Sequence, residues 1–319
     1  MENAWTILIP TRPQPDTIVA AFLLKTFGGD RFSGIENIRI EVNPDAPTDS
    51  FDALIAKKTI PLDVGGGPLD HHGKDRCTSE LVADFLKVKD SPTLAKLLAY
   101  AKRDDAQGKG TTSNDPIDRA FGLSGLIASL NKQYPGGAQK IVEIVLPLLE
   151  AHYHASHEHH VELPAAVEEK KRSGDYTEAF ANQGNMRLKI AFVVSDKPAM
   201  VTYLRSYQGP RADVVVQKNE GRNRVCVVTR QERRVNLAAV AALIRLREAE
   251  LRAVPLPENS AYWAQDGKVR ELPMWYVDPA TNSILNVGAP DADTRIPWEE
   301  LQRLVRQGLE VVPPDHAKK

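Results

Sequence analysis

Residues 62–74 read LDVGGGPLDHHGK, a stretch that holds one carboxylate, a glycine run and an Asp-His-His triplet. Ile60, Leu62 and Val64 form the apolar phase of a short buried strand, which brings Asp63 out near the strand end, where open α/β sheets bind ligands. Gly65, Gly66 and Gly67 follow and let the backbone take positive φ close to a ligand. Asp70, His71 and His72 come next, so carboxylate oxygen and imidazole nitrogen are concentrated in a loop without cysteine. That donor set suits manganese, magnesium, iron or zinc. Asp70 is placed to hold the far ring N–H of a ligating histidine, which leaves His71 as ligand and His72 free to reach a substrate. The alternative is a glycine turn carrying two exposed histidines.

The flanking text supplies a frame. Cys77, Thr78 and Ser79 precede Leu81, Val82, Phe85 and Leu86, the pattern of a capped amphipathic helix. Upstream, Ile7, Leu8 and Ile9 form a buried-strand run, followed by the loop PTRPQPD at Pro10 to Asp16 and an apolar helix from Thr17. Leu94, Leu97, Leu98 and Ala101 share one stripe of a further helix that ends at Asp104 and Asp105, ahead of a loop at Gly108 and Gly110. Two carboxylates at a helix C-terminus oppose its dipole and need a compensating cation.

The triplet resembles the third signature of the DHH phosphoesterase family, and Asp63 stands where that family has the Asp of its second motif. Cys77 to Val88 is similar to the helix after the triplet in the branch containing RecJ-like nucleases, and more so to the branch described as metal-dependent protein hydrolases. The first family motif, H-x-x-P-D-x-D, matches Pro10 to Asp16 only in part: Pro13 and Asp16 agree, while Pro10 and Gln14 stand in place of ligands. The resemblance therefore implies one divalent metal per chain, manganese or magnesium, held by Asp16, Asp63, His71 and either Asp104 or Asp105. Arg12 lies between the two departures, and its guanidinium is expected to stand in for the missing cation by gripping phosphate oxygens. The other reading of Arg12 is a solvated loop residue.

At 319 residues, with 42% hydrophobic and 26% charged, the chain has the composition of a soluble globular protein with room for two domains. Net charge is −1, so no overall field draws nucleic acid, and an anionic ligand must be held locally. Two cysteines far apart, no basic leader and no run near the roughly eighteen apolar residues of a membrane span point to a cytoplasmic protein without a membrane partner. The predicted fold class is α/β: a mainly parallel sheet domain over 1–122, a helical connector over 123–183 and a smaller α+β domain over 184–319.

Two further clusters stand out. His154, His157 and His160, within AHYHASHEHHVE, share a face if the segment stays α-helical, though a solvated polar face explains the same letters. In the C-terminal part, Arg222 and Arg224 flank a turn between strands, and Arg230, Arg233 and Arg234 follow. Arg222 and Arg224 are the candidate substrate-binding pair, across an interdomain cleft from the metal; the alternative is a solvated hairpin. The family's C-terminal glycine-rich GGGH-type motif is absent. Trp275, Tyr276 and Trp298 lack interleaved basic residues and read as core.

The expected function is a metal-dependent hydrolase of phosphoester bonds in a nucleotide, dinucleotide or short nucleic-acid end, with His72 and Arg12 catalytic. A non-catalytic metal-binding or regulatory protein on the same scaffold is the alternative, and self-association is left open.

Overall fold

The computed structural model describes residues 4–42, 47–107, 113–255, 257, 259–288 and 292–310. Gly108 and Gly110, expected to form a loop after Asp105, lie outside the described residues. The chain forms two compact units, Met1–Glu158 and His159–Lys319.

The first unit is built on β1 (Thr6–Ile9), α1 (Pro15–Phe27), β2 (Arg39–Val42), α2 (Phe51–Ala56), β3 (Thr59–Pro61), α3 (Thr78–Phe85) and α4 (Ala95–Ala106). The helices α5 (Pro116–Phe121), α6 (Leu123–Gln133) and α7 (Ala138–His157) complete it. Its sheet is three-stranded and parallel, in the order β2-β1-β3. Ile7 and Ile9 in β1 have no exposed surface, as a central parallel strand covered on both faces requires. Helix α1 begins with Pro15, whose missing N–H costs nothing at that position, and is buried continuously from Pro15 to Leu24. This helix is the spine of the unit, since Ile18, Phe22 and Leu23 share one core with Ile60, Leu97, Ile127 and Ile141.

The alternation of Ile60, Leu62 and Val64 predicts a strand through Val64, but β3 stops at Pro61. Leu62 still donates its N–H to Leu8 across 2.9 Å. Asp63 then takes φ +60°, which turns the chain off the sheet, and its N–H closes a loop on Leu69 at 3.1 Å. Gly65 and Gly66 continue that turn at φ +80° and +66°, where a side chain would be strained. Helix α4 runs to Ala106, so Asp104 and Asp105 lie within its last turn.

The second unit contains α8 (Leu163–Ser173), β4 (Tyr176–Gln183), β5 (Met186–Val194), α9 (Ala199–Arg205), β6 (Val214–Lys218), β7 (Val225–Thr229) and α10 (Ala238–Leu251). It ends with β8 (Gly267–Val269), β9 (Leu272–Asp278), β10 (Ser283–Asn286) and α11 (Trp298–Glu310). Its seven-stranded sheet has the order β4-β5-β6-β7-β10-β9-β8, with only β5 and β6 parallel. Residues 176–183, assigned to a helical connector from sequence, form β4, which pairs with β5 along its whole length through a turn at Gly184. Val214, Val216, Val225 and Val227 pack one sheet face against α10 and α11. The Arg245 guanidinium is fully buried there and donates to the carbonyls of Trp263, Gln265, Gly267 and Trp275 at 2.6–3.0 Å. No helix among the described residues is long and apolar enough to cross a membrane.

Candidate metal centre

The loop after β3 brings four potential ligands together. One donor atom each from Asp63, Asp70, His71 and His72 lies within 4.8 Å of the others, a cluster that could hold a metal ion. Asp63 and Asp70 are buried, at 7% and 4% exposure, so their charges are largely screened from water. Asp63 is fixed from two sides: Thr17 at the start of α1 donates to Oδ2 at 3.0 Å, and Thr78 at the start of α3 donates to Oδ1 at 3.1 Å. These threonines were not singled out in the sequence, where Thr78 reads as part of a helix cap. Their only signal is position, one beside Asp16 and the other opening the helix that follows the triplet.

His71 is the centre of the arrangement. Its Nδ1 lies 2.6 Å from Asp63 Oδ1, 2.9 Å from the Thr78 hydroxyl and 4.0 Å from Asp16 Oδ2, while its Nε2 lies 3.6 Å from Asp105 Oδ1. A neutral imidazole has a single N–H. One of its nitrogens must therefore present a lone pair toward a carboxylate, on one side or the other, unless a second proton or a metal cation lies there. The donor set fits a cation: two ligands of one ion, each bonded at about 2.1 Å, lie roughly 3 to 4 Å apart, and the Nε2 to Asp105 separation falls in that range.

Asp16, at the first turn of α1, accepts the Thr78 main-chain N–H at 3.2 Å and is 2% exposed. Burial, together with the like charges of Asp63 and Asp105, pushes its carboxyl up to about 6. Negative charge is thus crowded around His71 in a way that a divalent cation would relieve.

Asp70 does not hold His71. Its Oδ1 lies 2.6 Å from Nδ1 of His72 and accepts the His72 main-chain N–H at 3.0 Å, and its Oδ2 accepts the Gly66 N–H at 2.7 Å. Burial opposes ionisation of Asp70, but these bonds keep its carboxyl below the usual range. The hydrogen bond to Asp70 raises the His72 pKa in turn, and the His72 side chain is 70% exposed and stacked on His71. His72 is the accessible proton-bearing group of the loop.

The two neighbouring aspartates of α4 diverge. Asp105 faces His71, whereas Asp104 is buried and accepts a hydrogen bond from Ser124 on α6. Asp104 also lines a cavity of about 520 Å³ with Arg12, Gln14, Asn131 and Lys132, and Asn131 anchors that loop by donating to the Pro13 carbonyl at 3.0 Å. Arg12 is exposed at this cavity.

The histidine run does not gather into a comparable cluster among the described residues. A π-helical turn over Glu158–Glu162 breaks the α-helical spacing; His154 and His157 lie against Tyr153, and His159 against Tyr203. In the second unit the arginines are engaged locally: Arg224 with Asp293 at 3.3 Å, Arg233 with Asp213 at 3.0 Å and Arg230 with Glu232 at 2.7 Å. Arg222 is exposed on the turn between β6 and β7. No family model, no characterised protein and no solved structure matches this chain.

Proposed function

We propose that this chain is a metal-dependent hydrolase of phosphoester bonds, in line with the resemblance of Asp63 to His72 to the DHH phosphoesterases. The observation that carries the reading is the His71 ring, which has Asp63 and Asp16 on its Nδ1 side and Asp105 on its Nε2 side. His71, through Nε2, and Asp105 would bind one manganese or magnesium ion, with Asp63 and Asp16 supporting the imidazole from its Nδ1 side, and the ion would acidify a water and polarise a phosphoryl group. Thr17 and Thr78 keep the Asp63 carboxylate oriented. His72, paired with Asp70 and open to solvent, contacts the phosphoryl oxygens or delivers a proton to the leaving oxygen. Arg12 offsets the charge that develops on the transferring group, and the adjoining cavity has room for a nucleotide or a nucleic-acid end.

The test is hydrolysis of p-nitrophenyl and bis-p-nitrophenyl phosphate by the purified chain with manganese or magnesium. Metal-dependent turnover that His71→Ala abolishes is expected. Metal binding without turnover on these or on nucleotide substrates would instead select the second reading, a non-catalytic metal-binding or regulatory protein. Gln14 favours that second reading, because it presents a neutral amide to the cavity where the family resemblance implies a ligand carboxylate.

A further inference from the structure

The second unit carries a cavity of about 610 Å³ on the sheet face opposite α10 and α11. Gln217 on β6, Cys226 on β7 and Leu285 on β10 are paired in register, so their side chains form one row across three strands. With strands about 4.8 Å apart, the row makes a flat floor roughly 10 Å wide. Asn219, Arg224 and Val287 form its next row, and Gly221 and Arg222 reach in from the turn between β6 and β7.

The floor contains an unused acceptor. Gln217 is 8% exposed, and its amide nitrogen donates to the carbonyls of Ser195 at 2.8 Å and Lys197 at 3.2 Å, which fixes the orientation of the amide. Its Oε1 has no hydrogen-bond partner among the described residues. A buried acceptor left unpaired is costly, so the floor calls for an N–H donor. The rim calls for an anion. Among the described lining residues Arg222 and Arg224 contribute two cations, Arg224 being partly offset by Asp293, against one carboxylate, Asp196, whose Oδ1 accepts from the Asn219 amide at 3.1 Å and the Glu220 N–H at 2.8 Å.

We propose that this cavity binds a nucleoside monophosphate, with the base on the floor of Gln217, Cys226 and Leu285, an exocyclic amino group donating to Gln217 Oε1, and the phosphate at Arg222. A planar ring suits a flat floor whose middle is a thiol and a leucine, and the amino group and phosphate sit at opposite ends of one ligand. This site stands whether or not the metal centre is catalytic.

Cys226 is itself the reporter. The full-length chain, kept metal-free with a chelator so that the first unit holds no nucleotide through a metal, is alkylated with iodoacetamide, and modification of each cysteine is followed by peptide mass spectrometry. Adenosine monophosphate should slow Cys226 modification several-fold and leave the buried Cys77 unaffected. Purine riboside 5′-monophosphate, which lacks only the amino group, should need a concentration about tenfold higher for the same protection. Arg222→Ala, an exposed substitution, should raise the adenosine monophosphate requirement by a similar factor. Unchanged Cys226 modification at millimolar nucleotide would overturn the proposal, as would equal protection by inorganic phosphate alone or by the analogue without the amino group.

Discussion

Asp63 holds His71 at 2.6 Å from a backbone position with φ +60°, in the left-handed region that few side chains other than Asn and Asp enter. Such a conformation persists only where the surroundings over-determine it. Here the Thr17 and Thr78 hydroxyls and the Leu69 carbonyl do so, turning the carboxylate from the sheet toward the imidazole. Asp63→Asn keeps the backbone preference and removes the charge, so it should lower manganese affinity by at least about tenfold with little change in stability. His71→Ala should act alike. Metal titration calorimetry on both variants checks this, and wild-type stoichiometry in both would place the metal elsewhere.

The frame around this pair was legible in the sequence for physical reasons. Ile7 to Ile9, Asp63 and the apolar run after Asp16 are local patterns whose periodicity survives folding. The choice between Asp104 and Asp105 was not legible, because both fit the end of an amphipathic helix and only the three-dimensional position of His71 separates them. Strand β4 was missed since Glu178, Phe180 and Asn182 leave its outer face exposed, and its partner β5 comes later in the chain. The arginines of the second unit looked like a substrate patch, yet Asp213 and Asp293, distant in sequence, engage several of them.

The two α4 aspartates should separate experimentally. Asp105→Asn is expected to weaken metal binding by about tenfold or more, as loss of a ligand or its immediate support does. Asp104→Asn should leave the metal bound and instead lower stability by about 1–3 kcal/mol through its contact with Ser124. Denaturant melts with and without manganese distinguish the two, and a reversed assignment of effects would make Asp104 the ligand.

In metal-free protein, Asp16 should make stability fall as pH rises. Its folded carboxyl titrates near 6, against 3.8 for an ordinary aspartate, so between those values the native state binds more protons than the unfolded chain. The contribution is fully present below the unfolded pKa and is lost as pH climbs through about 6, a change of about 3 kcal/mol. Melting in chelator from pH 4 to 7 should show this decline in the wild type and not in Asp16→Asn. An identical pH profile in the two proteins would mean that Asp16 is not crowded by its neighbours.

Arg245 is buried against four carbonyls with no carboxylate bonded to it among the described residues, so its role is to satisfy backbone turns around β8 and β9. Arg245→Met retains apolar bulk but orphans those carbonyls, and should cost about 3–5 kcal/mol. Chemical denaturation measures the cost. A loss below about 1 kcal/mol would mean that water replaces the guanidinium.

Arg12 lies exposed at the cavity beside Gln14, so its charge is the natural partner of a phosphate there. If its guanidinium grips two phosphate oxygens at once, Arg12→Lys should impair anion binding nearly as much as Arg12→Ala, because an ammonium cannot form the planar fork. Loss of that charge-assisted contact costs roughly 1.5–3 kcal/mol. Neither variant should release the metal, since Arg12 donates nothing to it. The measurement is calorimetric titration with nucleoside monophosphates in manganese at matched salt, using an Arg222→Ala background so that binding in the second unit is weakened and separates from the Arg12 site. Equal affinity in the Arg12 parent and in Arg12→Ala would remove Arg12 from the anion site and shift weight to the non-catalytic reading.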